Sequence, residues 1–230
     1  MKKIILSLLC IAAIGTTAKA QLAIAPELGL NMANITGKSD GTTVNTKMKA
    51  GIGLGAVIDL GLTDNIYFQP GLFYEMTGCS FTDEPTGKYS INTITIPLNF
   101  EYKTGKEGGN RFFVGIGPYI AVNFSGTYSF DALGGYSSGS SGSLKIGSAK
   151  TDPNTGTGGD DVKALDLGAG INIGYLVANG FYFRLHYQIG FTNLDPDGDA
   201  NNTMYSSAFG ATVGFYLNSK KISKAGTIKK

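Results

Sequence analysis

The chain has 230 residues, 34 of them glycine, with 11% aromatic residues and no tryptophan, a composition that suits a β protein with close interior packing better than a helical one. Its 19 basic and 17 acidic side chains give a formal charge of +2. Lys220, Lys221, Lys224, Lys229 and Lys230 crowd the tail from Ser219 onward, which leaves the rest acidic and argues against a nucleic-acid partner.

At the N-terminus Lys2 and Lys3 precede an apolar stretch from Ile4 to Ile14 and then Ala18-Lys19-Ala20, the three-part form of a secretory signal peptide. The stretch is too short to span a bilayer as a helix, which needs roughly 20 residues. Cleavage after Ala20 would leave Gln21 first and remove Lys2, Lys3 and Lys19, so that 19 basic residues less three gives 16 against 17 acidic. Cys10 would leave with the signal, and the Leu8-Leu9 before it lacks the small residue of a lipoprotein signal. Cys79 would then be the only cysteine, which rules out an internal disulfide and a cysteine metal cluster. The layout expected is a signal peptide at 1–20, a barrel domain at 21–218 and a lysine-rich tail at 219–230.

From there the governing signal is period-two alternation between turn-forming stretches. In chain order it predicts strands over Leu22 to Ala33, Met48 to Leu60, Ile66 to Phe81, Tyr89 to Tyr102, Phe112 to Ser125, Leu165 to Val177, Phe181 to Thr192 and Met204 to Leu217. The pattern is clearest in the seventh. Phe181, Phe183, Leu185, Tyr187, Ile189 and Phe191 share one face, and Tyr182, Arg184, His186, Gln188, Gly190 and Thr192 the other. Pro26, Pro70, Pro97 and Pro118 fall inside strands, where bulges or local breaks are expected because proline cannot donate to the ladder.

The connections sort by side. Gly61 to Asn65, Thr104 to Asn110 and Ala178 to Gly180 lie on one side, and Asn34 to Lys47, Thr82 to Lys88, Gly126 to Ala164 and Asn193 to Thr203, longer overall, on the other. Short periplasmic turns and longer extracellular loops are what a bacterial outer-membrane barrel has. The Gly/Ser-rich part of the longest loop, Gly134 to Gly147, reads as flexible surface chain. The expected fold is therefore all-β: an eight-stranded antiparallel up-and-down transmembrane β-barrel in the bacterial outer membrane.

A soluble lipocalin-like barrel would bury the apolar face instead. The second face argues against this, being glycine, alanine and serine mixed with Glu27, Asp59, Glu75, Glu101, Asp166, Arg184 and His186, with too little charge for a solvated exterior. Small residues fit the crowded lumen of eight strands. Unpaired charges would be costly there, so Arg184 is expected to pair with one or more of the acids and help plug the lumen. Aromatic residues near strand ends, namely Tyr67, Phe68, Phe81, Tyr89, Tyr102, Phe112, Phe181, Tyr182 and Tyr216, are candidates for interfacial girdles.

Gly51-Ile52-Gly53-Leu54-Gly55 has the look of a nucleotide-binding glycine loop, but no helix follows, and lumen-facing glycine is the expectation. Asp195, Asp197 and Asp199 could gather around calcium, yet Gly198 is misplaced for an EF-hand and Ser206 stands where its closing glutamate would be, so a solvated turn is expected. Acid–base chemistry would centre on His186, the only histidine. No nucleophile follows from its spacing, and a lumen histidine satisfied by hydrogen bonds is expected. No catalytic residue, cofactor or metal is assigned.

The whole mature chain resembles the PorT-like outer-membrane β-barrel proteins typical of Bacteroidetes. The likeness is carried by Ala18-Lys19-Ala20-Gln21, Glu27-Leu28-Gly29-Leu30-Asn31, Phe68-Gln69-Pro70-Gly71-Leu72-Phe73-Tyr74, Ile96-Pro97-Leu98 and Gly115-Ile116-Gly117-Pro118-Tyr119. It implies an outer-membrane barrel and, for some members, a role in protein secretion. One departure is the lysine-rich tail after Phe215-Tyr216-Leu217, where such barrels often stop at an aromatic residue. The function expected is structural or interaction work in the outer membrane, accessory to secretion, with outer-membrane lipid and envelope or secretion proteins as partners. A narrow channel, a lipid-modifying enzyme and the lipocalin-like binder are the alternatives.

Overall fold

A chain that alternates large apolar residues with glycine and polar ones can satisfy its backbone inside a bilayer only by pairing every strand, which means closing the sheet. The computed structural model describes residues 22–82, 86–131, 139–152, 155 and 157–217. The segments expected to be a signal peptide, 1–20, and a lysine-rich tail, 219–230, lie outside the described residues. Among the described residues ten strands form one sheet: β1 Leu22–Ser39, β2 Thr42–Val44, β3 Thr46–Gly61, β4 Ile66–Phe81, β5 Gly87–Lys103, β6 Arg111–Phe130, β7 Ser140–Ser143, β8 Leu165–Leu176, β9 Phe181–Gly190 and β10 Thr203–Phe215. Eight of them form the ring in the order β1-β3-β4-β5-β6-β8-β9-β10, and β10 returns to pair with β1. All ring pairings are antiparallel, and closure runs from Glu27 opposite Gly214 to Lys38 opposite Thr203.

Two expected loops are partly strand. β1 continues past Ala33 to Ser39 and turns back through Asp40-Gly41 into β2. Both tip residues have positive φ, 50° and 78°, the backbone of a two-residue hairpin turn whose twist matches its strands. In the Gly/Ser-rich stretch, residues 134–138 lie outside the described residues, while Ser140–Ser143 form β7 and pair with the end of β6. That part is an added strand rather than free surface chain.

The ladder changes register between Met48 and Gly53 and between Asn92 and Thr93, neither place a proline. The prolines act more locally. Pairing skips Ile58-Asp59 opposite Gln69-Pro70, Gly71-Leu72 opposite Ile96-Pro97 and Leu98-Asn99 opposite Gly117-Pro118, so Pro70, Pro97 and Pro118 each interrupt one ladder, whereas Pro26 keeps its partner Ala56.

The apolar face points outward. Leu30 is 69% exposed, and Phe112 and Ile116 are each 62%, while Glu27, Asn31, Phe113, Tyr119, Tyr182 and Arg184 from the other face are buried. This arrangement suits lipid outside and a filled lumen inside, the reverse of a soluble binding barrel. Gly51, Gly53 and Gly55 lie within β3 with Ile52 and Leu54 outward, so the apparent nucleotide loop is lumen-facing strand.

The girdle expectation divides. Ring centroids of Phe112 and Tyr175 lie 4.7 Å apart edge to face, and those of Phe181 and Phe215 at 4.6 Å and of Phe68 and Phe100 at 5.1 Å are tilted, all near the short turns. Phe81, Tyr89 and Phe130 cluster near the loops. Tyr67, Tyr182 and Tyr216, however, point inward and are buried, because their hydroxyls hydrogen-bond charged lumen groups.

Candidate functional site

Alternation places side chains two residues apart on the same wall, and on β5 this sends Glu101 and Lys103 together into the lumen. Glu101 is 1% and Lys103 2% exposed. From β9, Arg184 crosses to them, with Nη2 3.1 Å from Glu101 Oε1 and Nη1 3.3 Å from Glu27 Oε1 on β1. Lys103 pairs with Asp59 of β3 and lies 3.4 Å from Glu101 Oε2. Its Nζ also donates to Tyr216 Oη at 2.9 Å.

Neutral groups fill the remaining sites. Gln69 donates from Nε2 to Asp59 at 2.6 Å and to Glu101 at 3.1 Å, and its Oε1 accepts from Arg184. Glu27 accepts from the Tyr182 hydroxyl and, at 2.9 Å, from Thr212. Rings flank the cations, with Lys103 Nζ 4.6 Å from the Tyr67 centroid and Arg184 5.5 Å from those of Phe113 and Tyr182. Nearer the short turns, Arg111 donates to the Tyr67 hydroxyl at 2.8 Å and to the backbone carbonyls of Asp64, Lys103 and Thr104. Charge-assisted bonds of this kind are strong where water is excluded. Together they cross-link β1, β3, β4, β5, β6, β9 and the chain after β10 through the barrel interior.

Above Arg184 the lining changes. Glu75 accepts from Thr95 at 2.6 Å, and Asp166 accepts from Ser206 at 2.5 Å and Tyr119 at 3.4 Å. His186 lines a cavity with Asn31, Glu75 and Asn172. Its Nε2 has no hydrogen-bond partner, which departs from the satisfied lumen histidine expected. Among the described residues no Ser, Thr or Tyr hydroxyl bonds to it.

The extracellular mouth is covered by a second core. Leu144 and Val162 from the β6–β8 connection and Leu194 from the β9–β10 connection pack on Ile35, Cys79 and Ile91. The lid is held by Lys163 N donating to Leu194 O at 2.7 Å, Leu194 N to Met204 O at 2.7 Å and Leu144 N to Gly126 O at 2.9 Å. The aspartates at 195–199 form a hydrogen-bonded turn: Asp195 accepts from Asp197 N at 2.9 Å, and Asp199 from Asn201 N and Asn202 N at 2.8 Å.

Of the seven residues singled out from sequence, Glu27, Asp59, Glu101 and Arg184 therefore meet in one network, whereas Glu75, Asp166 and His186 lie above it. Lys103, Gln69 and Arg111 were missed. Lys103 and Arg111 sit one residue beyond the predicted strand ends, and extending the alternation by one step would have placed both in the lumen.

The closed ring, outward apolar belt and filled lumen define an outer-membrane β-barrel protein. A family model described as outer membrane protein beta-barrel domain matches residues 17–195, and the chain belongs to that family. No curated protein matches it. It is similar to the solved structures of outer membrane protein OprG from Pseudomonas aeruginosa, with 12% identity over 84% of this chain and 94% of that one and a TM-score of 0.49, and of neisserial surface protein A, with 12% identity over 87% and 100% and a TM-score of 0.41. The attachment invasion locus protein Ail of Yersinia pestis is similar at 11% identity over 84% and 98%, with a TM-score of 0.38. These are distant likenesses, and the family assignment rests on the family model.

Proposed function

We propose that this barrel is a structural or interaction protein of the bacterial outer membrane whose business is conducted by its extracellular loops rather than through its lumen. The observation that carries the reading is double closure: a charged network fills the lumen around Arg184 and Lys103, and an apolar lid of Leu144, Val162 and Leu194 covers the mouth. The resemblance to PorT-like proteins favours an envelope or secretion component as the partner. Among the described residues no nucleophile is hydrogen-bonded to His186, which speaks against an enzymatic reading, and the charged network around Arg184 and Lys103 speaks against a wide pore.

The test is in-cell cross-linking of the wild-type barrel and of a variant with residues 148–158 replaced by a short linker, leaving the lid residues in place. The expected result is a discrete cross-linked species lost in the variant while its heat-modifiable band persists, together with reduced protein secretion. An unchanged cross-linking pattern and unchanged secretion would reject the reading.

A further inference from the structure

Charge is balanced in one part of the lumen and unbalanced in another. Around Arg184 and Lys103 the acids Glu27, Asp59 and Glu101 all have cationic neighbours. Higher up, Glu75 and Asp166 are buried, and among the described residues neither has a lysine or arginine within ion-pair distance. Their partners are the neutral hydroxyls of Thr95, Ser206 and Tyr119. A buried carboxylate without counter-charge is strongly disfavoured.

Two adjoining cavities lie at this level, and both are lined by Glu75 and Gln188. One includes Asn31, Asn172 and His186 and is bordered below by Glu27 and Arg184; the other includes Tyr119, Asp166 and Ser206 and no lysine or arginine; each has a volume of about 40 Å³. A cavity of that size holds roughly three waters, or an ion with part of its hydration shell. The lining has unused polar capacity. Both side-chain heteroatoms of Asn31 and Oδ1 of Asn34, Asp166 and Asn172 have no hydrogen-bond partner, although Asn31, Asp166 and Asn172 are 2%, 4% and 5% exposed.

The opposing backbone makes room for these groups. A Cβ on Gly51 would meet Asn31 Oδ1 at 2.4 Å, one on Gly115 would meet Asn172 Nδ2 at 2.6 Å, and one on Gly190 would meet Asp166 Oδ1 at 2.8 Å. Among the described residues no three carboxylate, imidazole or thiol side chains converge as a metal cluster, so a cation here would draw most of its ligands from amide and hydroxyl oxygens and from water. Carboxylate, amide and hydroxyl oxygens suit a hard cation.

We propose that this chamber binds one divalent alkaline-earth cation between Glu75 and Asp166, in the cavity that Arg184 does not line, charge-matched by those two carboxylates, with the amide groups of Asn31 and Asn172 reaching it through water. This is distinct from the acidic turn at Asp195 to Asp199, whose carboxylates are occupied by backbone amides.

The experiment uses the mature full chain folded in detergent and stripped with EDTA. CaCl₂ and MgCl₂ are titrated separately against choline chloride of matched ionic strength, reading the midpoint of the heat-modifiability transition. Metal content is measured after gel filtration. The expected result is a saturable rise in midpoint with one of the two ions and about one equivalent of it retained, both lost in Glu75→Gln and kept in the Asp197→Asn/Asp199→Asn double variant. A midpoint that responds equally to choline chloride, full binding in Glu75→Gln, or wild-type barrel with no retained metal would overturn the proposal, the last holding even if the Glu75 variant does not fold.

Discussion

The lower and upper parts of the lumen are built from the same strands, yet they accommodate buried polarity in opposite ways. Below His186, each of Glu27, Asp59 and Glu101 has a cation within 3.4 Å, and the spaces between are filled by Gln69 and three tyrosines. Above it, Glu75 and Asp166 rely on hydroxyls, small cavities remain, and the barrier to the outside is the apolar lid. The lower part is a charge-neutral plug whose members depend on one another. The upper part is a roofed chamber, and its roof comes largely from the β6–β8 and β9–β10 connections.

Breaking the plug should therefore have the largest effect. Arg184→Ala leaves Glu27 and Glu101 short of their shared cation, and a loss of about 3–5 kcal/mol is expected from removing one partner of a buried pair, checked by urea unfolding in detergent. Lys103→Met should cost less, about 2–3 kcal/mol, because Gln69 still donates to Asp59; equal losses for the two variants would contradict the network as described. Gly214→Ala, whose Cβ would meet the Tyr182 ring at 2.3 Å and its hydroxyl at 2.5 Å, should cost about 1–3 kcal/mol by displacing the ring that supports Glu27.

The roof should behave differently. Leu194→Ala removes a buried lid side chain worth about 2 kcal/mol or more. The expected readout is local: at least tenfold faster proteolysis in the β6–β8 connection with an unchanged unfolding midpoint for the barrel. A shift in the barrel midpoint as large as that of Lys103→Met would show that roof and plug are one cooperative unit.

The smallest effect concerns pH. The hydroxyl and N–H of Thr151 donate to Asp197 at 2.6 and 2.9 Å, and backbone N–H groups of Asn201 and Asn202 donate to Asp199, holding both carboxyls below the usual aspartate range. A depressed carboxyl stabilises the ordered loop above its ordinary pKa and loses that contribution as pH falls through the depressed value. Amide protection at Thr151 should hold from pH 7 to about 5 and fade only below roughly 4; protection that declined near pH 6 would point to another group.

Much of this was legible in the sequence because a membrane barrel has a simple code. Period-two alternation located the eight ring strands, and the long and short connections fixed their orientation. The inward faces of Phe112 to Ser125 and Phe181 to Gly190 followed directly. Pairing across the lumen was not legible, because alternation says which wall a side chain leaves but not which opposite wall it reaches. For that reason Arg184 was expected to meet acids without Glu27 and Glu101 being distinguished from Glu75 and Asp166.

Strand ends were the second difficulty. Stopping one residue short of Lys103 and Arg111 removed two of the three lower cations from view and left the acids in apparent excess. Tyr67, Tyr182 and Tyr216 were misplaced for a related reason: a tyrosine near a strand end suits either an interfacial girdle or a lumen hydrogen bond, and only its phase relative to Glu27, Asp59 and Glu101 separates the two. The roof was invisible because Leu144, Val162 and Leu194 are isolated apolar residues in polar loops with no periodic pattern.

The most direct test of a lumen closed at both levels is a planar-bilayer recording of the refolded full-length barrel. No stable conductance above the lipid baseline is expected from wild type, Leu194→Ala included, since the plug remains when the roof loosens. A large, long-lived wild-type conductance would contradict the account and make passage through the lumen the barrel's function.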